Sequence, residues 1–375
     1  MPKRVLILCE YPTLLGGERS MLATLPAVSA AGFDVHVAAP SRGPLAANLL
    51  EQRVSHVVWD THDQHAQRLP LEQLRTSVED LFRKSRPALV HANSVSTSRI
   101  AGPVASASSI PSIGHLRDIV KLASQAIDDI NHHRRVLAVS HATREFHVAQ
   151  GLDAKKCEVI YNGVGLDEFA PRPPTGYLHR ELNLPGDVQF VCTIGQLGLR
   201  KATDVVLRAA IQIAGKAPNI HWLIVGERTS GKEESLEYER QLHAVAAKPS
   251  LAGRVHFLGS RRDVSRLLNE CVLLVHAARQ EPLGRVLLEA AASGLPIVAT
   301  DVGGTREIFR THADGAILVP AGDPLALADS ALELLRDEPR RQAFAVAARQ
   351  RAFAGFDIHR ASERLIAQYR QVLGP

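Results

Sequence analysis

Short, almost wholly apolar runs alternate with longer segments of helical period, and this alternation occurs as two series along the chain. The first series holds VLILC from Val5, DVHVAA from Asp34, HVVW from His56, ALVHAN from Ala88, PSIGHL from Pro111, VLAVS from Val136 and CEVIYN from Cys157. Amphipathic stretches such as ERSMLATLPAVSAAG and LEQLRTSVEDLFRKS lie between them. Strands that read as continuous apolar runs are covered on both faces, which is the condition of a parallel sheet flanked by helices. Residues 169–187 then break the pattern with a density of Pro and Gly, as an interdomain connection does. The series restarts with QFVCTIG from Gln189, IHWLIVG from Ile220, RVHFLG from Arg254, VLLVHA from Val272, LPIVAT from Leu295 and AILVP from Ala316. A length of 375 residues suits two cores better than one. The chain is therefore expected to form two doubly wound α/β domains, 1–170 and 188–357, joined by a linker at 171–187 with a short helix in it and facing each other across a cleft. The amphipathic end, 358–375, is expected to pack back onto the first. Ligands of such sheets bind outside the carboxyl ends of the strands.

Charge excludes little but redirects attention. The formal net charge of +5 is scattered, and aromatic residues make up 5% of the chain, whereas a nucleic-acid binder concentrates basic residues in a stripe. The basic clusters at 83–86 and 132–135 read as solvated helix faces, with contact to an anionic membrane surface as the lesser alternative. No apolar run approaches the roughly 18 residues of a membrane span, and the start MPKRVLILC reads as a buried strand, so a cytoplasmic protein is expected. Cys9, Cys157, Cys192 and Cys271 form no CxxC pair and read as buried reduced thiols. The pairs His62/His65 and His132/His133 lack Cys or carboxylate companions at ligand spacing and read as solvated histidines.

Chemistry concentrates at residues 279–308, RQEPLGRVLLEAAASGLPIVATDVGGTREI. Pro282 and Gly284 suggest a loop entering a helix near Leu283 or Gly284, with Glu281 at the entrance and Glu289 along the helix. The exposed N–H groups of a helix start make an anion site. Carboxylates beside it suit hydroxyl groups, each of which must be matched when it leaves water.

This segment resembles the E-x7-E motif of the family 4 glycosyltransferases, here Glu281-Pro-Leu-Gly-Arg-Val-Leu-Leu-Glu289 followed by Gly294, Pro296 and Gly303-Gly304-Thr-Arg-Glu307. The resemblance spans nearly the whole chain and implies the GT-B architecture of two Rossmann-like domains, the first for the acceptor and the second for the nucleotide-sugar donor. It implies that Glu281 contacts hydroxyls of the donor sugar, that Glu289 contacts the ribose, and that backbone N–H groups around Leu283, Gly284 and Arg285 hold the diphosphate. GQLGLRKATD, from Gly195, resembles the family's basic loop: Lys201 matches its lysine, while Gln196 and Ala202 stand where an arginine and a glycine are usual, and Arg200 is the candidate for the missing charge. Cations at a departing diphosphate lower the barrier. Gly16, Gly17 and Glu18 resemble the GGxE loop, which is either a phosphate-approaching loop or a plain turn. In IPSIGHLRDI the family's sugar-contacting histidine position holds Arg117, with His115 two residues earlier; either could take that role. Ser140 and Asn162-Gly163 sit at family-like positions and read as scaffold.

GERTSGKE, from Gly226, has P-loop spacing, but Glu233 stands where a magnesium-binding Ser or Thr is needed, so it reads as an ordinary loop. The resemblance implies a retaining transfer of a hexose from a UDP- or GDP-sugar to a glycan, lipid-linked or small-molecule acceptor by front-face substitution. No Asp-x-Asp sequence occurs, and metal-independent activity without a cofactor is expected. Two rival readings remain: a nucleotide-sugar epimerase of the same fold, and a non-catalytic nucleotide-sugar binder.

Overall fold

A computed structural model describes residues 2–65 and 67–374; the outermost residues of the expected domain limits, Met1 and Pro375, lie outside them. The chain divides into two compact units, Met1–Gly163 with Ile358–Pro375, and Val164–Asp357.

The first unit is built on β1 (Lys3–Leu8), β2 (Phe33–Ala39), β3 (Ser55–Val58), β4 (Leu89–Ala92), β5 (Ser112–Leu116), β6 (Arg135–Ala138) and β7 (Cys157–Val159). They form one sheet in the order β3-β2-β1-β4-β5-β6-β7, every neighbouring pair parallel. Order reverses between β1 and β4, so the loops leaving these strands diverge and open a crevice at their carboxyl ends. On one face Val5, Ile7, Ile113 and Leu137 pack against Met21, Leu22 and Leu25 of the helix Gly16–Ala30 and against Leu365, Ile366 and Tyr369 of the helix Ile358–Leu373. Gly163 lets the last helix approach, because a Cβ there would lie 2.5 Å from the Ile358 Cα.

The second unit holds β8 (Gln189–Ile194), β9 (Ile220–Val225), β10 (Val255–Gly259), β11 (Cys271–His276), β12 (Ile297–Thr300) and β13 (Ala316–Val319). Their order is β10-β9-β8-β11-β12-β13, again parallel throughout, with its reversal between β8 and β11. Both sheets are doubly wound in the Rossmann manner.

Residues 171–187 hold the short helix expected of them, and they are also bonded to the second unit. Glu270 accepts hydrogen bonds from the Thr175 N–H at 2.6 Å, the Thr175 hydroxyl at 2.7 Å and the Gly176 N–H at 2.9 Å, and a helix follows at Tyr177–Leu182. The segment is thus tied into the second unit. A correction concerns His133, which is fully buried rather than solvated: it is bonded to the Ser112 hydroxyl at 2.9 Å and the Ser98 carbonyl at 3.0 Å. Gly114 makes room for it, since a Cβ there would lie 2.7 Å from the ring. All four cysteines are free and buried. Among the described residues, no helix is long and apolar enough to cross a membrane.

Candidate functional site

In the second unit, the candidate residues gather where the strand order reverses. The chain leaves β8 through Gly195 and half-buried Gln196 and makes a short 3-10 turn at Leu199–Lys201. The turn is fastened to the loop after β11 by Arg279, whose N–H donates to the Arg200 carbonyl at 2.8 Å and whose guanidinium reaches the Leu199 carbonyl at 2.6 Å and Asp204 at 2.8 Å. Ala202 ends the turn in the left-handed region, φ +51°, a conformation that costs a residue with a Cβ about 1–2 kcal/mol. Its methyl is fully buried in the core of the unit, which offsets part of that cost. The glycine common in the family would fit the backbone here without strain.

Across from this turn, β11 leads into Glu281-Pro-Leu-Gly and the helix Arg285–Ala292. Gly284, at φ +106°, begins that helix where a side chain would press on Leu287 and Glu281. Gly303 and Gly304 hold the loop from the other side. A Cβ on either would overlap the loop backbone, at the Glu281 carbonyl or the Pro282 carbonyl, and the Gly304 N–H donates to the Glu281 oxygen at 2.9 Å. Leu283 is buried. Four backbone constraints therefore fix the entrance of one helix.

The Glu281 side chain is only 6% exposed, yet it is surrounded by cations and donors. Lys201 Nζ lies 2.5 Å from its Oε2, His276 Nε2 lies 2.8 Å from the same oxygen, and an Arg200 guanidinium nitrogen is 3.9 Å from Oε1. Burial alone would raise the carboxyl; the charge of Lys201, the His276 hydrogen bond and Arg200 together overcome this and hold it well below the usual carboxylate range. Burial and the nearby Lys201 charge depress His276. It is therefore neutral near pH 7, and because a carboxylate only accepts, its Nε2–H is the donor. Lys201 and His276 also line a narrow recess with Thr193, Gly195 and Thr203. Further along the helix Arg285 Nε donates to Glu289 Oε1 at 2.6 Å, on a largely buried face.

Gly16, Gly17, His115 and Arg117 belong to the first unit. Gly16 and Gly17 open the helix Gly16–Ala30, and Glu18 turns back to accept the Leu15 N–H at 3.0 Å. A Cβ on Gly17 would come within 3.2 Å of Arg117 Cδ. Arg117 is heavily engaged: it donates to the Asn93 carbonyl and side chain at 2.8–3.1 Å, to Asn162 Oδ1 at 2.9 Å and to His115 Nδ1 at 3.2 Å. His115 Nδ1 also faces His91 Nε2 at 3.2 Å, and His91 Nδ1 lies 2.6 Å from the Tyr369 hydroxyl. Since the guanidinium only donates, His115 Nδ1 accepts. His91 then donates through Nε2 and accepts the Tyr369 proton on Nδ1. Arg117 thereby sets the tautomers of both histidines, and the Tyr369 hydroxyl of the last helix ends the chain of hydrogen bonds.

The sequence reading passed over several residues that build these clusters. His276 is the one ionisable side chain in the run VLLVH and precedes Glu281 by five positions, which was a usable signal. Arg279, Asn93 and Tyr369 carried none, because their partners come from distant segments; Asn162, read as scaffold, is a direct partner of Arg117.

Two family descriptions match the chain: Glycosyl transferases group 1 over residues 177–351 and Glycosyltransferase Family 4 over residues 15–168. Among curated proteins, the lipopolysaccharide core biosynthesis mannosyltransferase LpsB of Rhizobium meliloti is 28% identical over 216 residues, covering 57% of this chain and 61% of LpsB. The D-inositol 3-phosphate glycosyltransferase of Mycobacterium bovis is 30% identical over 254 residues, covering 67% of this chain and 50% of that protein. The chain thus spans between about half and three fifths of the length of the curated relatives it matches. Among solved structures, Anabaena Alr3699/HepE in complex with UDP-glucose superposes with a TM-score of 0.85 at 23% identity, covering 98% of each chain. WaaG, a glycosyltransferase involved in lipopolysaccharide biosynthesis, gives 0.73 at 17% identity over 97% of this chain and 99% of its own. These likenesses establish the GT-B fold.

Proposed function

Because the chain belongs to the family 4 glycosyltransferases, we propose that it moves a hexose from a nucleotide-diphosphate sugar to an acceptor hydroxyl with retention at the anomeric carbon. The observation that carries this reading is the buried Glu281 carboxylate, bonded to Lys201 and His276 where the second sheet reverses its strand order. A carboxylate kept ionised at that depth is an acceptor on both oxygens, and its hydrogen bonds from sugar hydroxyls are charge-assisted.

In the proposed reaction the bond from the anomeric carbon to the diphosphate breaks as the acceptor oxygen forms its bond on the same face. The acceptor proton passes to the departing phosphate oxygen. Lys201 and Arg200 sit on a turn fixed by Arg279 and stabilise the charge that grows on the leaving group. The N–H groups at Leu283, Gly284 and Arg285 hold the diphosphate at the helix start, and Glu289 takes the ribose. Gln196 lines the approach from β8, while Gly16, Gly17, His115 and Arg117 serve the first unit's side of the reaction. UDP-glucose bound to the HepE protein supports a UDP-hexose donor, and the LpsB relationship supports a glycan or glycolipid acceptor, for which contact with a membrane surface is a corollary.

The test is release of UDP from UDP-glucose, with and without added acceptor and in the presence of EDTA. Glu281→Gln keeps the shape of the side chain and is expected to slow turnover by about 100-fold or more. Turnover close to that of the unaltered protein, or a strict need for a divalent metal, contradicts the proposal, and accumulation of a free epimer assigns the same cleft chemistry to an epimerase.

A further inference from the structure

The first unit carries a second cluster, separate from Arg117, at the carboxyl ends of its own strands around the β1/β4 reversal. Glu10 follows β1, and its side chain is fully buried. One oxygen, Oε1, accepts from Arg68 Nε at 2.5 Å; the other, Oε2, has no donor among the described residues. Arg68 comes from the segment after β3, closed on itself by a bridge between His62 and Arg68 and tied to Glu10 by the Thr61 hydroxyl at 2.7 Å. A second guanidinium nitrogen of Arg68 lies 3.1 Å from the Ser96 hydroxyl, in the first turn of the helix Val95–Ala107 after β4. Tyr11 stands beside these groups with 45% of its surface exposed, its ring 5.9 Å from that of His62. Burial raises the Tyr11 phenol, Glu10 pushes it further and Arg68 opposes it, so both members of the ion pair act on the phenol.

We propose that Glu10, Tyr11, Arg68 and Ser96 form an acceptor subsite for a neutral ring bearing several hydroxyls, a sugar residue or a cyclic polyol. This rests on the transferase reading and deepens it by naming the acceptor's chemistry. A buried carboxylate oxygen without a donor costs about 1–3 kcal/mol, and its complement is an O–H. The remaining N–H groups of Arg68, whose side chain is 37% exposed, need acceptors. A hydroxyl supplies both roles, and neighbouring hydroxyls supply them side by side. Glu10 and Arg68 balance each other, so the pair has no net charge with which to hold a phosphate, a carboxylate or an ammonium. The exposed face of Tyr11 offers an apolar surface to the C–H side of a ring, with its hydroxyl at the wet edge. The position, at a strand-order reversal, is where such sheets take ligands.

Saturation-transfer difference NMR with methyl α-glucopyranoside, methyl α-mannopyranoside and myo-inositol, in the presence of UDP, tests the subsite. Hydrolysis of UDP-glucose measured on the same samples reports the donor side independently. At least one polyol is expected to bind the unaltered protein, and Tyr11→Ala, a change at an exposed side chain, is expected to weaken it by about tenfold. Arg68→Gln should weaken it similarly, and UDP-glucose hydrolysis should persist in both variants. Absence of polyol binding, binding indifferent to both substitutions, or displacement of the polyol by inorganic phosphate overturns the subsite. Loss of UDP-glucose hydrolysis in the unaltered protein, with polyol binding intact, would instead strike the transferase reading and leave the subsite standing.

Discussion

At the scale of single residues, the molecule depends on ionisable groups kept in chosen protonation states by burial. His91 is pushed down to about 3 and His133 to about 4, both chiefly by burial, and His115 is also held well below its ordinary value. An unfolded chain binds protons on these histidines near pH 6.5, whereas the folded one refuses them. Their contribution to stability is therefore complete above pH 6.5 and is lost as pH falls toward 4, by up to about 1.4 kcal/mol per pH unit for each histidine. Urea midpoints at pH 7.5 and 5.5 should differ accordingly, the acid value being lower; equal midpoints would show that these rings are protonated in the native state. Glu281 acts on a different window, since its depressed carboxyl withdraws stability only as pH drops below the unfolded value of about 4.3. The spacing of Glu281 and Glu289 was legible because it lies within one loop and one helix. The partners that keep Glu281 ionised were not, because Lys201 is 80 positions away and only the sheet brings it close. His133 was misjudged for the same reason: its hydrogen-bond partners and the glycine that admits it belong to other elements.

Elements were the most readable level, and the cause is physical. Strands covered on both faces must be continuously apolar, so every strand of both sheets coincides with an apolar run. The carboxylate of Glu270, which captures Thr175 and Gly176, leaves no such periodic trace, and a Pro-rich stretch therefore read as a connection between domains rather than as part of one. The entrance of the helix Arg285–Ala292 is held by glycines from the following segment. Gly303, at φ +51° and with an added Cβ falling 2.0 Å from the Glu281 carbonyl oxygen, is expected to tolerate no side chain. Gly303→Ala should lower stability by about 2 kcal/mol, read from its urea midpoint, and should slow UDP-glucose hydrolysis by displacing Glu281. The closing helix Ile358–Leu373 has a comparable dependence on one atom. Tyr369→Phe removes the donor to His91 Nδ1 in a fully buried site and should cost about 1–2 kcal/mol, again measured by urea denaturation. A neutral result there would mean that the hydroxyl does not donate to His91 Nδ1.

For the whole molecule, the same device occurs twice. Each unit is a parallel sheet with a single reversal of strand order, and each places its polar side chains at the carboxyl ends beside that reversal. In the second unit the result is an ionised glutamate among cations at the start of a helix; in the first it is a network of neutral histidines with Arg117, and the Glu10–Arg68 cluster nearby. Family 4 membership accounts for the repetition of the fold. The central claim is that the junction between β11 and the helix Arg285–Ala292 grips the donor. A crystal structure of the protein grown with UDP tests it most directly. Diphosphate density is expected at the N–H groups of Leu283, Gly284 and Arg285, within hydrogen-bond distance of Lys201 Nζ, with the ribose at Glu289. UDP bound elsewhere, with that junction empty and Lys201 still paired only to Glu281, would contradict it.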